Sequence, residues 1–133
     1  MSKNDFDELY PAHLGEVRRR TDGALSAAGY DRVVIHSGRL RYRFLDDMTF
    51  PFKVNPHFKH WAPLLDAPDS CIDYTPGRRP RLLFHQPADF WHKPPDLPSG
   101  DWTRELEIVV VREPGEAQAL LDAGRPRLAF LGE

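Results

Sequence analysis

The chain has 133 residues, 41% hydrophobic and 29% charged, enough for one globular domain that buries roughly two-thirds of its extended-chain surface. Its formal net charge of −2 gives no general attraction to nucleic-acid phosphates or an anionic bilayer, and no run approaches the roughly 20 apolar residues that span a membrane. A single cysteine, Cys71, cannot form an internal disulfide, and the polar opening Met1-Ser2-Lys3-Asn4-Asp5 lacks the apolar stretch of a signal peptide, so the cytoplasm is the expected compartment.

The first predicted element is a helix over residues 9–28. Leu14, Val17, Thr21, Leu25 and Ala28 recur at three- and four-residue steps, Pro11 suits a first turn, and Gly29 suits the position just past the end. Its other face carries Glu16, Arg18, Arg19 and Asp22. The β-branched run Val33-Val34-Ile35, ended by Ser37-Gly38, reads as a buried strand and a turn.

Ten of the 13 prolines lie between Pro51 and Pro98, and proline fixes φ and removes a backbone donor, so this stretch can hold rigid turns and short strands but no long helix. Residues 39–69, with Phe44, Met48, Phe52, Phe58 and Trp61 at no clean period, read as a structured, partly buried loop region. The runs 71–74 and 81–84 flank the turn-rich Pro76-Gly77-Arg78-Arg79-Pro80 and suggest an antiparallel hairpin. A second proline-rich loop, Pro87 to Pro98, follows. Leu106 to Val111 reads as a strand, Pro114 to Ala123 as a short helix and Arg127 to Leu131 as a strand. That order is a βαβ unit whose two strands should be parallel, joined by a right-handed crossover. The expected fold class is therefore α/β, a mixed sheet with helices packed on it.

Few residues combine into recognisable chemistry. Asp46 and Asp47 are adjacent acids, which on a strand face opposite sides and on a helix diverge by about 100°, so cooperation as an acid/base or metal pair is not expected of them. His57 and His60 have a spacing that could contribute to a zinc site, but the remaining ligands are missing. Cys71 starts an apolar run, where a thiol is normally a buried packing group and not a nucleophile. The arginine runs at 18–20 and 78–81 are diluted by Glu16, Asp22 and Asp73 and read as solvated surface. No phosphate-cradling glycine motif and no Gly-x-Ser-x-Gly elbow is present. Trp91 lies in the stiff run Asp89-Phe90-Trp91-His92-Lys93-Pro94-Pro95, where a large ring loses little entropy on docking; a ring folded back onto the domain's own core is the equal alternative.

Two segments together resemble the N-terminal domain of bacterial prolidases, the Xaa-Pro dipeptidases of the pita-bread metallopeptidase superfamily that includes creatinase and aminopeptidase P. One is His36-Ser37-Gly38 with Phe44-Leu45-Asp46-Asp47-Met48 and Pro51-Phe52-Lys53-Val54-Asn55-Pro56, Phe58-Lys59 and Trp61; the other is Asp89-Phe90-Trp91-His92-Lys93 with Pro95, Pro98 and Trp102. The likeness runs nearly end to end, and it is similar in particular to the bacterial subgroup that also contains organophosphate-hydrolysing prolidases. It implies a creatinase/prolidase N-terminal domain-like fold spanning residues 1–133 as a single domain, part of a usually dimeric, two-domain enzyme. Such enzymes hydrolyse Xaa-Pro dipeptides with two divalent metals, commonly manganese, held by a C-terminal catalytic domain that this chain lacks. No catalytic residue and no metal ligand is then expected here, and the chain alone should be inactive.

By position, the resemblance makes Asp47 the acid that reaches the partner subunit's pocket across a homodimer and Trp91 the ring that lines it, with Asp46 and His36 as weaker candidates that position the loop. Thr49 and His60 depart from the family pattern and leave fine substrate preference open. The alternative from another class is a stand-alone α/β binding or dimerisation module without catalytic activity. A third reading, a small metalloenzyme using His57 and His60, requires tight zinc binding by this chain.

Overall fold

The computed structural model describes residues 3–39, 53–64, 67–86, 98, 101–113, 115–116, 119 and 127–132. Helix α1 runs Lys3–Ala28, starting earlier than its amphipathic stripe indicates. Pro11 consequently sits inside the helix and not in its first turn. Proline removes only its own N–H and the bond to the carbonyl four residues back, and tertiary contacts hold the turn around it. Tyr10 is buried, donates a hydrogen bond to the Trp61 carbonyl at 2.5 Å and stands edge-on to Trp102 at 6.0 Å. The C-terminus of α1 ends as its sequence indicates. Gly29 takes φ +79°, Tyr30 N–H donates to the Leu25 carbonyl at 2.9 Å and Gly29 N–H to the Ser26 carbonyl at 3.3 Å, the paired bonds of a Schellman cap.

Five strands follow: β1 Arg32–His36, β2 Cys71–Tyr74, β3 Arg81–His85, β4 Glu107–Val111 and β5 Leu128–Leu131. A short helix α2, Pro56–Trp61, stands between β1 and β2, and a 3-10 helix, Asp101–Glu105, precedes β4. The sheet order is β4-β3-β2-β1-β5. Strand β2 is antiparallel to β1 and β3, and the outer pairs β3/β4 and β1/β5 are parallel. The sheet is mixed, as expected, and the β2–β3 hairpin is formed. The terminal βαβ expectation needs correction. β4 and β5 point the same way, but they lie at opposite edges with three strands between them. Residue pattern identifies a strand but not its partner; here β4 pairs with the preceding strand β3 and β5 with the sequence-distant β1.

Residues 39–69 also hold more regular structure than expected, because α2 forms within them. Asn55 accepts a hydrogen bond from His57 N–H at 3.1 Å and Pro56 occupies the first turn, where its missing donor costs nothing.

Alternation divides the sheet into two faces. Val33, Ile35, Ile72, Tyr74, Leu82 and Phe84 pack with Leu14 and Leu25 of α1 and with Phe58 and Trp61 of α2. Trp61 lies 4.9 Å from the Tyr74 ring, and the Tyr74 hydroxyl donates to Asp22 of α1 at 2.5 Å. Arg18 stacks over the same ring at 5.6 Å. On the opposite face Val34, Cys71, Leu83 and Val111 form a smaller cluster. Beside it Asp73 is buried and takes two bonds from Arg32, at 2.5 and 2.8 Å, and further bonds from Arg81. A buried carboxylate is tolerated because both oxygens are satisfied by guanidinium donors. Arg19 and Arg20 instead lie on solvent, both on Glu16, and their hydrogen bonds hold its carboxyl down to about 2, Arg19 contributing first.

Candidate functional site

Since β1, β3, β4 and β5 all point one way, their C-terminal ends share one edge of the sheet with the start of β2. The chain leaves β1 at His36 towards residues 40–52 and leaves β3 at His85 towards residues 87–97. The flanks of the two candidate segments therefore emerge on the same edge, separated by the width of β2.

The edge is knit by small polar residues. Continuing the β1/β2 register sets Ser37 opposite Ser70, and Ser37 N–H donates to the Ser70 carbonyl at 2.8 Å. The Ser37 hydroxyl donates to the Ala67 carbonyl and accepts from Ser70 N–H at 3.0 Å. Both serines are fully buried. Asp69, with φ at 59°, turns the chain out of the β2 ladder just where the β2/β3 register would set it opposite His85. The Ser70 hydroxyl stands in for a ladder acceptor there, receiving His85 N–H at 3.1 Å. Beyond the first segment, Asn55 returns the chain to the same place. Its N–H donates to the Ser37 carbonyl at 2.8 Å, its side-chain amide to the His36 carbonyl at 3.0 Å, and its side-chain oxygen caps α2. One asparagine thereby fixes the second flank of residues 40–52 to the first.

His36 closes β1. Its Nδ1 accepts from Gly38 N–H at 3.1 Å, so the neutral ring carries its proton on Nε2, which faces an Asp69 carboxylate oxygen at 3.6 Å. Gly132 packs against it: a Cβ there would come within 2.7 Å of the His36 Cβ, and its φ of +141° also favours glycine.

Of the candidate residues, His36 lies at this edge, buried to 8% exposure; Asp46, Asp47 and Trp91 lie outside the described residues. His57 and His60 are exposed on α2 and belong to the lining of a largely apolar cavity of about 450 Å³ between α1, α2 and the β1/β5 strands, with Leu25, Ile35, Trp61 and Leu131. Among the described residues no group of three histidine, cysteine or acidic side chains is placed to hold a metal ion. Cys71 is buried, and burial, reinforced by Asp69 and Asp73, pushes its thiol up to about 12, leaving almost no thiolate at neutral pH. No helix among the described residues is long and apolar enough to cross a membrane.

Ser70 and Asn55 knit this edge, a role that the sequence reading gave to neither. Asn55-Pro56 carried a usable signal, an N-cap residue before a first-turn proline; Ser70 carried none, since its role depends on strands distant in sequence.

Comparison with known proteins adds an independent observation. Residues 8–133 match the family model described as Xaa-Pro dipeptidase, N-terminal domain. Over all 133 residues the chain is 48% identical to a protein of Stenotrophomonas maltophilia strain R551-3, 47% identical to one of S. maltophilia strain K279a and 44% identical to one of Xanthomonas axonopodis pv. citri strain 306. Each of these relatives carries the name Xaa-Pro dipeptidase, and the chain spans about 30% of its length.

Proposed function

Because the chain belongs to the family of Xaa-Pro dipeptidase N-terminal domains, we propose that it is the non-catalytic N-terminal domain of a metal-dependent enzyme that hydrolyses dipeptides ending in proline. In this role it supports a homodimer and caps the active site of the partner subunit. The peptide-bond chemistry belongs to a C-terminal catalytic domain, where two divalent cations, manganese being the expected pair, polarise the carbonyl and activate water.

The observation that carries this reading is the shared origin of the two candidate segments at one polar edge of the sheet, on a rigid scaffold. A cap must present groups from separate segments in fixed relation, and their flanks are tied to each other here through Ser37, Asn55, Ser70 and His85. Asp47 supplies a carboxylate for the free ammonium of the dipeptide, a charge-assisted hydrogen bond. Trp91 supplies an indole face for the apolar side chain or the proline ring. Asp46 and His36 position the first segment, His36 from the strand end at which that segment begins.

Asp47→Ala in the full-length enzyme tests the assignment. Dipeptide kcat/KM is expected to fall by about tenfold or more, the scale of one lost charge-assisted hydrogen bond, with metal content unchanged by elemental analysis. Normal kinetics would refute the role of Asp47.

A further inference from the structure

We infer that Ser70 is a positioning residue that couples the two segments, so that the placement of one depends on the other; the inference rests on the reading of this edge as a substrate cap. Ser70 is fully buried, and each of its polar groups is used on a segment flank. Its carbonyl accepts from Ser37 N–H and its N–H donates to the Ser37 hydroxyl, holding the start of the first segment. Its own hydroxyl accepts from His85 N–H, holding the start of the second. β2 lies between β1 and β3, so the strands themselves bond to each other only through it. Ser70 continues that connection past the end of the ladder, where Asp69 has already turned away.

The Ser70 hydroxyl is the element a substitution can remove while both backbone bonds to Ser37 stay possible. Coupling requires reciprocity: loosening either flank must be felt at the other. Ser37→Ala, which removes a bond on the first flank, should therefore also loosen the second flank at His85, and Ser70→Ala, which removes the bond to His85, should also loosen the first flank at Ser37.

The experiment uses the full-length dipeptidase with Ser70→Ala, Ser37→Ala, Asp47→Ala and the Ser70→Ala/Asp47→Ala double variant. Amide exchange by mass spectrometry should rise in peptides covering both 38–55 and 86–101 in each serine variant, with the remainder of the domain unchanged. A rise confined to the flank whose bond is removed, 38–55 for Ser37→Ala and 86–101 for Ser70→Ala, overturns the coupling, and so does a uniform rise across the domain. If Ser70→Ala fails to fold, the Ser37→Ala exchange pattern decides by the same criterion. In steady-state kinetics Ser70→Ala should raise KM for a Xaa-Pro dipeptide about fivefold with little change in kcat, the pattern of lost binding and not lost chemistry. In the Asp47→Ala background it should add less than about fivefold, because the Asp47 share of the contact is already gone while Trp91 on the second segment remains; an unchanged KM in the single variant, or effects that multiply fully in the double, overturns the inference. If Asp47→Ala alone leaves KM normal, the assigned role of Asp47 has failed, and the exchange pattern still decides whether Ser70 couples the segments.

Discussion

Under α1 and α2 the sheet is held by rings and aliphatic side chains, with Tyr10, Phe58, Trp61, Tyr74 and Trp102 in one continuous cluster. At the edge where β1 and β3 end, the buried polar groups are instead Ser37, Ser70 and His36, with Asn55 half-buried beside them, and directed hydrogen bonds join them. Apolar packing is non-directional and sets stability; short hydrogen bonds from small side chains fix where the chain leaves the sheet while burying little area. The difference teaches that damage to the first region should appear as lost folding, and damage to the second as misplaced segments in a protein that still folds.

The largest effects should come from the packed body. Phe58→Ala, at a fully buried ring, is expected to cost about 3–5 kcal/mol in urea unfolding. Asp73→Ala should cost a comparable 3–5 kcal/mol or so, because it leaves Arg32 buried without its carboxylate. A Phe58 variant of unchanged stability would contradict the assignment of this face as the core. Ser70→Ala should cost less, about 1–3 kcal/mol for the stranded His85 N–H, and should show most of its effect in the exchange and KM measurements. Tyr10→Phe removes one hydrogen bond and keeps the ring, so about 1 kcal/mol is expected in the same unfolding assay.

The pH response comes from groups buried in the packed body. Burial, helped by Glu105, holds the Tyr10 phenol neutral well above its ordinary value of 10.0, and burial raises the Cys71 thiol from 9.0 to about 12. Both groups are raised in the folded state, so their contribution is complete below the unfolded values and is lost as pH climbs from 9 and 10 towards the folded ones. Unfolding midpoints should therefore fall above about pH 9, and a thiol reagent should label Cys71 only on unfolding. Reaction of the native thiol at neutral pH would contradict its burial. At the smallest end, Glu16→Ala on the solvent face should leave the melting temperature unchanged, since exposed pairs are screened.

The packed body was largely legible in the sequence because periodicity reports burial. Leu14 and Leu25 at helical spacing, Val33-Val34-Ile35, and the two runs around Pro76-Gly77 identified α1, β1 and the hairpin. The start of α1 was not, since Pro11 reads locally as a beginning and only the anchoring of Tyr10 on Trp61 and Trp102 lets the helix extend past it. Strand order was not legible either, because β4 and β5 choose partners by tertiary packing. At the edge, the resemblance named Asp47 and Trp91 through exact residue runs, and Asn55 before Pro56 carried a helix-cap signal, whereas Ser70 is a small, common residue whose meaning arises only when β1, β2 and β3 are brought together.

The central claim is that this domain completes the active site of its partner, and subunit complementation tests it most directly. Full-length Asp47→Ala subunits would be mixed with subunits that retain Asp47 but carry an inactivated metal site, and dipeptide hydrolysis by the isolated heterodimer measured. In the heterodimer the intact metal site receives Asp47 from across the interface, so activity should return to roughly half that of the unaltered dimer, one working site of two. A heterodimer no more active than the Asp47→Ala parent would show that Asp47 serves its own subunit or no site at all, and the capping account would be wrong.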